Sequence, residues 1–79
     1  MRNWKKYYDE RPIIKKYKGW NIRKIKSEYY EKYYQKIAYD YICEVRPGVE
    51  SIRCENIKWI YDWIDKKIKE GKYQKEYIN

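Results

Sequence analysis

Residues 21–45 read NIRKIKSEYYEKYYQKIAYDYICEV. Tyr30, Tyr34, Ile37, Ala38, Tyr41, Ile42 and Val45 follow the three-and-four spacing of one helix face. Ile22, Ile25, Tyr29 and Tyr33 form an earlier stripe on another side. The spacing predicts a helix over 21–45, kinked near residue 27 or apolar on two faces. Asn21 is a candidate N-cap. Ser27 is a second one, because Glu28 and Glu31 behind it suit a helix N-terminus. A helix with two apolar faces must be covered twice, by other elements or by another subunit.

Working outward, Arg46-Pro47-Gly48 stops that helix and supplies a turn. A second helix is predicted over 51–70. Its clear stripe is Ile57, Ile60, Ile64 and Ile68, and Gly71 ends it. Asn56 offers a fresh cap, which would split the segment into 51–55 and 57–70. Lys66, Lys67 and Lys69 suit the C-terminal end. Residues 71–79 read as a polar tail in which Tyr73, Tyr77 and Ile78 are spaced to dock. Before residue 21 there is no clean helical period. Pro12 blocks a continuous helix, and a short helix near 3–10 and a strand near 13–17 are both open. The expectation is therefore one domain over 1–79 of all-α class: a small helical hairpin or three-helix unit, with a basic, aromatic-rich segment (1–20) packed across it.

Composition limits what such a domain does. In 79 residues there are 12 Ile and 12 Tyr but no Leu, Phe, Thr or His. Without His there is no Ser-His-Asp triad and no imidazole metal ligand. Two Cys do not close a four-ligand zinc site, and no cofactor is expected. Three isolated glycines make no phosphate-binding loop. The carboxylate pairs Asp62/Asp65 and Glu28/Glu31 sit among lysines and read as solvated ion-pair faces. An enzyme is not expected. No run of 18 apolar residues exists to span a bilayer. No signal peptide is expected, because no apolar stretch follows the charged start. The location expected is a host cytoplasm or a virion.

The charge is lopsided. The net charge is +8, and residues 1–26 carry all of the excess: Arg2, Lys5, Lys6, Arg11, Lys15, Lys16, Lys18, Arg23, Lys24 and Lys26 against Asp9 and Glu10. The remaining residues balance ten cations with ten acids. Trp4, Tyr7, Tyr17 and Trp20 are interleaved with these cations. Cations meet phosphates and rings stack on bases, so these fourteen residues are the candidate nucleic-acid-binding set, with DNA or RNA as the partner. The plainer alternative is that the rings fold back as core. A helix-turn-helix version takes 36–45, 51–55 and 57–70 as its three helices, although Asp62 and Asp65 on the last would oppose phosphates. The competing function is a structural or interaction protein, a virion component or an inhibitor of a host protein. In that reading the Tyr-rich stretch 29–34 forms a protein contact or a homo-oligomer interface. A membrane-surface role finds little support, as residues 1–20 lack a clear amphipathic pattern.

Cys43 and Cys54 flank the Pro47-Gly48 turn at similar distances. Paired with each other, they would close a loop of about 12 residues for roughly 3 kcal/mol. Against this, Cys43 falls opposite the main helical stripe. Two free thiols and an intersubunit bond are the alternatives. The composition resembles that of small proteins from hyperthermophilic archaea and their viruses, in which intracellular disulfides persist. The resemblance covers no motif.

Overall fold

The computed structural model describes residues 4–76. It has seven elements: α1 (Trp4–Asp9), β1 (Ile13–Tyr17), β2 (Trp20–Lys26), α2 (Glu28–Tyr34), β3 (Tyr39–Arg46), β4 (Val49–Cys54) and α3 (Ile57–Lys69). The four strands form one antiparallel sheet in the order β1-β2-β3-β4. The class is thus α+β, and neither the all-α expectation nor the helical hairpin holds.

The correction has a specific cause within residues 39–46. Here Tyr41, Cys43 and Val45 alternate with Asp40, Ile42, Glu44 and Arg46, the two-residue period of a strand. Tyr41, Cys43 and Val45 join the core under α3. Ile42 breaks the polar half of the alternation and is nevertheless buried. It lies beside Tyr8 of α1 and residues 74–76 of the tail, which line one small cavity on the other face. Both faces of the strand are covered, so apolar residues on both sides imitate a helical stripe. The helix-turn-helix arrangement fails with it. Residues 39–46 and 49–54 are strands, and only the third proposed helix exists.

Two turns follow from their residues. Lys18 and Gly19 both have positive φ (50° and 83°), as a type I′ hairpin turn needs. Pro47 fixes φ at the second position of the β3–β4 turn, and Gly48 takes φ 74° at the third. Both α1 and β1 are present, so both openings left at the N-terminal end are used.

α3 is the element the sequence defines best. The Asn56 side chain accepts from the Lys58 amide at 3.0 Å, and the helix ends before Gly71. Ile60 and Ile64 are fully buried against Trp20, Ile22 and Cys43. Trp63 meets Trp20 edge to face at 6.0 Å, an arrangement worth about 0.5–1.5 kcal/mol beyond burial.

The opposite face is closed by α1 and by residues 72–76. The β2–β3 ladder ends at Arg23↔Ile42. Beyond it the Gln74 amide fills the seam. Its oxygen accepts from the Asn21 amide (2.7 Å), and its nitrogen donates to the Asn21 and Glu44 carbonyls (3.1 Å each). The Lys75 amide donates to the Val45 carbonyl. The described part of the tail is therefore structural, while Tyr77 and Ile78 lie outside the described residues.

Candidate nucleic-acid interface

Folding divides the candidate set. Arg2 lies outside the described residues. Trp20 is core, 4% exposed. Arg23 is turned to the α1 side, where Nε and Nη2 meet the Glu76 carboxylate (3.1 and 2.8 Å) and Nη1 donates to the Arg11 carbonyl (2.6 Å). Tyr7 donates its hydroxyl to Glu44 at 2.6 Å. Burial first, then that hydrogen bond, pushes the phenol up. Arg11 lies 3.9 Å from the centre of the Tyr7 ring and donates to the Tyr7 carbonyl. Trp4 packs edge-on to Tyr7 at 5.6 Å. Tyr17 stacks on Tyr61 at 4.4 Å and donates to Asp65. Lys18 pairs with the same Asp65 at 2.7 Å, and this pairing holds the carboxyl below its usual range. These groups serve the fold or its local ion pairs.

Of the other cations in the set, Lys24 is half-buried and the rest are exposed. Lys5 and Lys6 are exposed on α1, and Lys16 is exposed on the α1 side of β1. Lys15 stands opposite Ile22, and Lys24 and Lys26 follow Ile22 at two-residue steps, so all three share the α3-bearing face. Lys15 lies over the Tyr61 ring (5.6 Å) and Lys24 over Tyr39 (4.3 Å). Each contact of this kind is worth about 0.5–1 kcal/mol at exposed sites and leaves the charge unneutralised. Two strand carboxylates point the other way, whereas Glu50 of β4, opposite Val45 in the register, is on the α3 side and pairs with Lys72. On the α1 side Asp40 pairs with Arg53, and Glu44 accepts from Tyr7. Among the described residues, Lys15, Lys24 and Lys26 have no carboxylate partner. Tyr39 and Tyr61, which orient two of these lysines, escaped the sequence reading. The signal for Tyr39 was strand parity, hidden while 39–46 read as helix, whereas Tyr61 on α3 meets Lys15 only through the packing of α3 on the sheet.

Comparison with family models, with curated proteins and with solved structures finds no match to this chain.

An open groove of about 610 Å³ lies where β1 stops short of the end of β2. Pro12, Ile25 and Tyr39 line it with Arg11, Lys24 and Lys26 and, in equal number, Glu10, Glu28 and Glu31. Lys24 and Lys26 share this lining with three carboxylates and pair with none of them. No group of three Cys, Asp or Glu among the described residues is placed to hold a metal ion. No helix among them is long and apolar enough to cross a membrane.

Cys43 and Cys54 are free thiols. The register sets Cys43 against Ile52 and Cys54 against Tyr41, one rung pair apart on the same face. Burial, then the Glu44 charge, pushes the Cys43 thiol from an ordinary 9.0 up to about 12. A thiol reagent at pH 8 is expected to modify Cys54 well before Cys43, read by mass spectrometry of the timed reaction. The sign for stability follows from the same shift. A group raised in the folded state contributes fully below its unfolded value, and the contribution is lost as pH rises through the folded one. Stability should therefore decline from about pH 9 to about pH 12. Cys43→Ala should make that decline shallower in urea titrations. An unchanged alkaline slope would remove Cys43 from the account.

Proposed function

We propose that this protein binds DNA or RNA electrostatically through the α3-bearing face, with Lys15, Lys24 and Lys26 as phosphate contacts and Lys5 and Lys6 as auxiliary cations. One observation carries the reading: Lys15, Lys24 and Lys26 share one face of the sheet, and Asp40 and Glu44 of the neighbouring strand lie on the other. A net charge of +8 adds long-range attraction. The polyanion in view is a genome within a host cytoplasm or a virion, in keeping with the compositional resemblance to archaeal viral proteins. The mode is not that of a recognition helix, so little sequence preference is expected.

Changing Lys15, Lys24 and Lys26 together to Gln should remove three phosphate contacts. The slope of log affinity against log salt should then shrink by about 2–3, at about 0.7–0.9 per contact. Arg46→Gln, on the other face, should leave the slope nearly unchanged. Fluorescence anisotropy with labelled duplex and single strands from 50 to 300 mM salt measures both. Weak binding at 50 mM salt that the triple change does not alter would overturn the proposal.

The competing reading, an interaction protein, has one observation in its favour. Tyr29, Tyr33 and Tyr34 of α2 are each more than half exposed.

A further inference from the structure

A cluster of exposed apolar side chains is centred on α2. Tyr29 (57%), Tyr33 (64%), Tyr34 (55%) and, just beyond, Ile37 (74%) all face solvent. Their rings pack on one another, Tyr29 and Tyr33 with centres 5.0 Å apart, and none of the four belongs to the buried core or its packed margin. Contiguous apolar surface of this kind marks a contact site more often than a solvated one.

Charge selects the occupant. Along α2, Tyr29 and Tyr33 share a face at i and i+4, and Glu28 and Lys32 run beside them at the same spacing. The acid is at the start of the helix and the base near its end. A nucleic-acid strand stacked on these rings would meet Glu28 and Glu31. A second α2 laid antiparallel about a two-fold axis would meet its own complement: Tyr29 against the partner's Tyr33, and Glu28 against the partner's Lys32. An isologous contact needs this self-complementarity. The sheet edge is a worse meeting place. Antiparallel pairing of two β1 strands centred on these residues would bring Lys15 of one copy against Lys16 of the other, and β1 lysines of this kind are a common protection of edge strands.

We propose that a second copy of this chain is the partner of the α2 surface, forming a two-fold dimer by antiparallel α2–α2 contact. This reading is independent of nucleic-acid binding. The patch is small, so the dimer is reversible, with Kd on the order of 10–100 µM.

Sedimentation equilibrium without nucleic acid tests it. The wild-type chain should pass from monomer to dimer with concentration, and Tyr33→Ala should stay monomeric. Glu28→Lys leaves two lysines beside the rings and Lys32→Glu leaves two acids, so each variant alone should dimerise about tenfold more weakly or worse. An equimolar mixture of the two should recover wild-type affinity as a heterodimer, a result that damage to the fold does not produce. A wild-type monomer at 1 mM overturns the proposal. A mixture that associates no better than its components overturns it too, as does a dimer indifferent to all three changes.

Discussion

Glu76→Ala is expected to cost about 3–5 kcal/mol of stability, the largest effect of any single charge removal in this protein. The pair it breaks is enclosed, with the Arg23 side chain 9% exposed and that of Glu76 13%. Arg23 sits with its guanidinium 4.5 Å from the Tyr8 ring centre, and one nitrogen is committed to the Arg11 carbonyl. With Glu76 gone, that charge stays desolvated without its counter-ion, because the sheet, α1 and the tail hold it in place. An exposed pair such as Lys18–Asp65 is worth about 0–1 kcal/mol by comparison. Urea unfolding followed by tryptophan fluorescence gives both numbers. The double change Arg23→Met with Glu76→Leu should recover most of the loss, because apolar groups of similar volume avoid the desolvation cost. A loss under 1 kcal/mol for Glu76→Ala would mean that Arg23 is hydrated in solution.

Ile60→Ala should be comparably severe, at about 3–4 kcal/mol. The fully enclosed core is small: Trp20, Ile22, Cys43, Ile60 and Ile64. Ile60 touches it from the first turn of α3 with no exposed surface, so truncation leaves a cavity ringed by side chains with little freedom to collapse. A domain of this size has on the order of 5–10 kcal/mol in total, and the variant should show a visible unfolded fraction at modest temperature. Ile68→Ala, on the same helical stripe but 40% exposed, should cost only about 1 kcal/mol. Thermal melts of both variants separate a position that is merely in phase with the stripe from one that is enclosed.

The contrast between Ile60 and the middle of the chain explains what was readable. α3 has one apolar face and one covering layer, so Asn56, the isoleucine spacing and Gly71 state it directly. Residues 39–46 are sandwiched between α3 and the α1–tail layer, and Ile42 on the second face erased the alternation that defines a strand. A counter-signal was present. Twelve Ile with no Leu and a single Ala favour strands over helices, but the local three-and-four spacing outweighed it. Pro47-Gly48 announced a reversal without saying what it reversed, since the same residues turn helices and hairpins alike. In the candidate interface, the charge excess was countable from sequence. The fate of each cation was not, because Arg23 is withdrawn by a glutamate 53 residues away, whereas Lys24, its neighbour, is set on the α3-bearing face by strand parity, over Tyr39 and without a carboxylate partner among the described residues.

The amide of Gln74, set between β2 and β3, has a kinetic meaning. Every ladder in the sheet joins strands that are consecutive in the chain, and such short-range closures form early. The seam at Asn21 waits for a group 53 positions later, after α3 has formed and turned back at Gly71. In pulse-labelled hydrogen exchange during refolding, the Asn21 amide should gain protection last, making it a clock for completion of the native state.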